Sequence, residues 1–215
     1  MIKTLLTTAA ILLATQASAE KLTRVDLDSG KAILVIADDF IDGTADRVDT
    51  FLLMNPDIRE VAFNSDGGIA SEGVDLADIL YDHDIKTTVN TGYHCLSACA
   101  FAFIGGSDFR IDGILGFHNG YIPYPAITEM SRDQITNVSI YMGALTTNHF
   151  VRNGFSIELP LVISATTSKE TYIVFTETED LYDFVVGEMV SDIFTDIVDA
   201  EWVDRHLWPS VRLAL

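Results

Sequence analysis

Residues 60–81, EVAFNSDGGIASEGVDLADILY, decide the fold. EVAFN reads as a short buried strand. Ser65-Asp66-Gly67-Gly68 follows as a turn with two residues free to take positive φ, and a helix is expected over 71–81. The same order recurs on either side. Upstream, residues 31–37 (KAILVIA) read as a first buried strand, and residues 44–54 place Val48, Phe51 and Leu52 at helical spacing before Pro56 stops the helix. Downstream, residues 86–91 (KTTVNT) are a third strand. Alternating short β-branched runs and helical segments is the sign of β-α-β units around a mainly parallel sheet, so the fold class is α/β.

Residues 95–106 (CLSACAFAFIGG) are small and apolar and end in glycine, where a helix C-cap belongs; they read as a buried helix with Ser97 near its start. Two extended pieces, 109–111 and 114–117, lead to His118. A long helix over 128–151 carries Met130, Val138, Leu145 and Phe150 on an interrupted apolar face. Residues 172–175 form another strand. Thr176-x-x-Glu179 has the spacing of a capping box for a short helix, and Val185, Val186 and Val190 form a last strand. With no internal repeat and no linker, a single domain over 20–215 is expected.

The chain has 215 residues, 48% of them hydrophobic and 21% charged, which is the profile of a foldable globular protein. Its 13 basic against 32 acidic residues give a net charge of -19, which repels phosphate backbones and anionic lipid and argues against nucleic acid and membrane partners. Residues 1–19 have the three parts of a secretory signal peptide: Lys3, an apolar core over 5–14, and Ala17-Ser18-Ala19 as cleavage site before Glu20. The alternative, an N-terminal membrane anchor, is opposed by an apolar stretch too short to cross ~30 Å of hydrocarbon. The expected location is outside the cytoplasm, in a periplasm or, alternatively, secreted.

Three features fall at the ends of consecutive β-α units, the side of a parallel sheet where ligands bind: the Asp66-Gly67-Gly68 turn, Ser97 and His118. A serine hydroxyl needs an imidazole to take its proton, and the tetrahedral oxyanion needs preplaced N–H donors. Ser97 is the expected nucleophile and His118 the expected base. The Gly67-Gly68 turn and the helix start at Ala98 supply the oxyanion hole, through the N–H groups of Gly68 and Ala98. Each residue also has a plainer role open to it. Ser is a common helix N-cap, a histidine after a strand is often only packed, and Gly-Gly is a common strand-to-helix turn.

NSDGG at 64–68, CLSACAFAFIGG at 95–106, Arg110, and GFHNG at 116–120 together resemble the ClpP-type serine peptidases of the ClpP/crotonase superfamily, most closely their exported stand-alone relatives with a similar C-x-S-A-C-A segment. The resemblance covers roughly residues 31–190 and leaves 191–215 as a C-terminal extension. It implies repeated β-α units, a serine peptidase acting on short or unfolded peptides without a cofactor, and a homo-oligomer. An exported protein would lack the cytosolic ATPase partner of ring-forming ClpP. Two departures stand out. Asp66 replaces the usual proline before the glycines and puts a carboxylate beside the oxyanion hole. The family's third, acidic member should lie around 169–172, where Glu170 is the nearest acid and Ser168 or Thr171 could orient His118 more weakly. A non-catalytic binding scaffold on the same fold is therefore the alternative. A crotonase-type acyl-CoA enzyme is disfavoured by export and by the lack of a basic patch for CoA phosphates.

Cys95 and Cys99 flank Ser97. Four residues apart on one helical face, their Cα atoms would lie ~6 Å apart, within disulfide range, and an oxidising compartment favours the bond; two buried free thiols are the alternative. A metal site from His94, Cys95, Cys99 and His118 lacks the paired ligand spacing such sites use, and none is expected.

Overall fold

A computed structural model describes residues 20–120, 128–185 and 196–199. The expected signal peptide over 1–19, the expected strand through Val186 and Val190, and nearly all of the C-terminal extension lie outside these residues. No helix among the described residues is long and apolar enough to cross a membrane.

The molecule is mixed α/β with a mainly parallel principal sheet. β2 (Ala32–Ala37), β3 (Glu60–Asn64), β4 (Lys86–Val89) and β6 (Phe109–Ile111) run parallel to their neighbours in the order β2-β3-β4-β6. β2 is an unbroken apolar run whose Leu34 and Ile36, on one face, are fully buried, while Val35 and Ala37 on the other are partly covered. β1 (Lys21–Asp26), an antiparallel edge strand, pairs with it from Lys21↔Ala37 to Asp26↔Ala32. α1 (Thr44–Met54) and α2 (Ala70–Asp82) are the crossovers. Glu72 of α2 fastens them together: its carboxylate accepts from Gly43 N–H and Ala45 N–H, both at 2.9 Å, where the first turn of α1 has free donors.

A second sheet holds β5 (His94–Leu96), β7 (Ile114–Phe117), β8 (Thr171–Phe175) and β9 (Asp196–Asp199), with β5 and β7 parallel and the rest antiparallel. The sheets meet where Ser65, just past β3, bridges Cys95: Ser65 N–H donates to His94 C=O at 2.9 Å and Leu96 N–H to Ser65 C=O at 3.0 Å.

α3 (Ala98–Phe103) follows β5 and lies against α2. Its small residues allow close contact. A Cβ on Gly73 would come within 2.2 Å of Ala98 C=O, and one on Gly105 within 2.3 Å of Ala77 C=O. α4 (Arg132–Arg152) opens on a capping box between Ser131 and Gln134 and buries only His149 and Phe150. α5 (Glu158–Thr166) buries Leu159, Pro160 and Ile163. α6 (Thr178–Tyr182) completes the described elements.

Three expectations require correction. Residues 95–106 are not one helix, because β5 takes Cys95 and Leu96 into the second sheet before α3 begins. The Thr176–Glu179 capping box does not form: α6 starts after Glu177 without a side-chain cap, and Thr178 Oγ instead accepts from Ile111 N–H at 2.9 Å. The sheet is two sheets, because β7 pairs β5 and β8 instead of extending β6.

Candidate active site

Ser97 stands at the junction of β5 and α3. The β side is held by Ser97 N–H donating to Gly116 C=O at 2.9 Å, while on the helical side Ser97 C=O accepts from Ala100 N–H at 3.0 Å. Turning from strand to helix within a single residue puts Ser97 at φ 55°, ψ -121°, a conformation that costs a side-chain-bearing residue roughly 1–3 kcal/mol. From His94 to Gly105 every other residue is buried, so the turn pushes this one hydroxyl out of the core.

Cys95 and Cys99 are joined as a disulfide with Cα atoms 5.1 Å apart. The bond does not lie along one helix face. It spans the turn from strand to helix, with both sulfurs in the core.

His118 leaves the end of β7 and meets Ser97 from the opposite side, with Nε2 2.6 Å from Oγ. With Nδ1 protonated, the serine hydroxyl donates to Nε2, and the Ser168 main chain lies near enough to the imidazole to favour its charged form. The Tyr172 ring packs on the imidazole with centroids 4.6 Å apart. Burial lowers the His118 pKa below 6.5, and the Ser168 main chain opposes that shift without reversing it. At neutral pH the ring is the neutral form a base must be. Asn119 steadies the loop. Its N–H donates to Thr167 Oγ at 2.9 Å, and its amide donates to the carbonyls of Ser164 and Thr167 at 3.0 and 3.1 Å.

The glycine turn presses against the Ser97 elbow. A Cβ on Gly67 (φ 101°) would lie 2.5 Å from Leu96 C=O and 2.8 Å from Ala98 N, so this position admits only glycine. Gly67 C=O accepts from Phe40 N–H at 2.6 Å, and Ile69 N–H donates to Phe40 C=O at 2.9 Å. Those bonds leave the Gly68 N–H directed away from Phe40. The Gly67 N–H is already given to Ser65 Oγ, which donates to Asp38 C=O at 2.6 Å. Gly67 therefore supplies close approach, whereas among the described residues no hydrogen bond engages the N–H of Gly68 or of Ala98.

Asp66 turns outward from this arrangement, its carboxylate 2.8 Å from His94 Nε2. The expected third member, Glu170, is not brought to His118: it is exposed and pairs with Lys169 at 3.3 Å. The hydroxyls of Ser168 and Thr171 bond each other at 3.1 Å, so Ser168 meets the imidazole through its backbone and not its side chain. The sequence reading missed the roles of Asn119, Tyr172 and the His94–Asp66 pair. Asn119 adjoins His118 and was open to suspicion; the other two are long-range contacts with no local signal.

The groups brought together are thus a hydroxyl on a strained turn, a neutral imidazole hydrogen-bonded to it, and two main-chain donors at the turn's edge. They are the parts that acyl transfer through a serine ester requires. In comparisons with known proteins, no family model and no curated protein matches this chain.

Proposed function

We propose that the protein is an exported ClpP-like serine hydrolase, a peptidase that cleaves short or unfolded peptides through an acyl-enzyme on Ser97. The observation that carries this is the 2.6 Å contact between Ser97 Oγ and His118 Nε2 at a half-buried, strained elbow. As Oγ attacks the peptide carbonyl carbon, its proton passes to Nε2. The carbonyl oxygen takes the negative charge and is met by the N–H groups of Gly68 and Ala98. Nε2 then returns the proton to the leaving amine as the C–N bond breaks. Water, deprotonated by the same nitrogen, releases the acid and restores Ser97. The Ser168 main chain and the Tyr172 ring orient the imidazole, the task that an acid performs in a triad.

Intact-mass measurement after fluorophosphonate treatment tests the proposal directly. One adduct on the wild-type protein, absent from Ser97→Ala and from His118→Ala, is expected. A folded wild-type protein that takes no adduct would overturn the hydrolase assignment in favour of a binding scaffold.

A further inference from the structure

The His94–Asp66 pair has no part in the chemistry above, yet it joins its two halves. Asp66 is the residue before the glycine turn, and His94 is three residues before the nucleophile, at the start of the strand that delivers it. His94 is buried, its side chain 8% exposed against 49% for Asp66, so the imidazole is the fixed partner and the carboxylate is drawn to it. The rest of the His94 surroundings is equally determined. Its C=O accepts from Ser65 N–H at 2.9 Å, and its N–H faces Asn64 Oδ1 at 3.4 Å. On the turn's other side, Gly67 C=O is anchored by Phe40 and Gly67 N–H by Ser65 Oγ. Beside the main-chain bonds of Ser65, the Asp66 carboxylate is, among the described residues, the side-chain contact that ties the turn to β5.

We infer that His94 and Asp66 are positioning residues that lock the glycine turn in register with the Ser97 elbow and hold the Asp66 carboxylate off the oxyanion hole, an inference that rests on the hydrolase assignment. Two physical effects converge. An oxyanion donor works only when aimed to within a fraction of an ångström, and the Gly68 N–H, on an exposed residue, is aimed only by the turn that carries it. A carboxylate adjoining the hole would also repel the developing negative charge if it swung inward, and the bond to His94 keeps it turned away. The pair thus makes an acidic residue tolerable at a position where it would otherwise oppose the reaction.

The test measures the acylation rate with p-nitrophenyl acetate and the backbone amide resonances of Gly67 and Gly68 in the full mature chain. Asp66→Ala and His94→Ala are each expected to slow acylation about tenfold or more, short of the roughly 10²–10³-fold lost with an oxyanion donor itself, with KM little changed. The double variant should be no slower than the worse single one, because both remove the same bond. Asp66→Asn keeps an acceptor for His94 and should recover to within about threefold of wild type, which a general loss of stability would not explain. In the same variants, the Gly67 and Gly68 amides should shift on Asp66→Ala and His94→Ala and return towards wild type on Asp66→Asn. Unchanged acylation in the alanine variants, or additive losses, would overturn the inference while leaving Ser97 chemistry intact. Should the wild-type protein fail to acylate at all, the hydrolase assignment falls separately, and unmoved glycine amides would then refute the coupling on their own.

Discussion

Ser97 keeps its hydroxyl available by holding a backbone that glycine would hold with less strain. Ser97→Gly should therefore be more stable than Ser97→Ala by about 1 kcal/mol, since only the alanine keeps a Cβ at positive φ, while both lose the hydroxyl. Denaturant titration of the two variants measures the difference, and an alanine variant as stable as the glycine one would show that the elbow is unstrained. At His118, burial lowers the pKa below 6.5. The base must be neutral, so acylation should run at a plateau through neutral pH and decline in acid with its midpoint below that value. A pH–rate profile of fluorophosphonate labelling reads this, and a midpoint above 6.5 would contradict the buried setting of the ring.

At the scale of elements, the disulfide links β5 to the first turn of α3 across Ser97. Its loop has a sequence separation of 4, for which the chain-entropy model gives about 2 kcal/mol. Its larger effect should be local, because the strand-to-helix corner then lacks its covalent tie. Cys95→Ala/Cys99→Ala is expected to lower unfolding stability by about that amount and to slow acylation at temperatures where the protein stays folded. Acylation that tracks only the folded fraction would show that hydrogen bonds alone hold the corner. α5 serves the site differently, as its C-terminal end presents Thr167 to Asn119 and the Ser168 main chain to His118.

Over the described residues as a whole, the buried rings of His118 and His149 govern the response to mild acid. Burial lowers the pKa of both His118 and His149, the latter with its ring bonded to Phe101 C=O at 2.8 Å. The unfolded chain therefore takes up protons first as pH falls through about 6.5, and stability declines from there towards lower pH. Asp39 and Asp75, whose pKa burial raises, bind protons earlier in the folded state and act oppositely, but only in the carboxylate range. Urea titrations from pH 7.5 to 5.5 should show the loss, and His149→Gln with His118→Gln should flatten it. A flat wild-type profile would mean that neither ring is held neutral.

The parallel strands and their crossovers were legible because each is a local apolar pattern: the helix over Thr44–Met54 and the strand over Glu60–Asn64 stand where the residues placed them. Ser97, His118 and the glycine turn were legible as a candidate constellation, since all three fall at strand ends, and the structure places them beside one another. The break between β5 and α3 was not, because a short run of small apolar residues has the same periodicity as strand or as helix; pairing to Ser65 and to β7 decided it. Nor could spacing show that Ser168 meets His118 through its backbone, that Glu170 turns to Lys169, or that Asp66 turns to His94. Local order and residue chemistry were thus set by the sequence itself, whereas the direction of each side chain within the site was decided only where distant segments packed together, since such contacts leave no period along the chain.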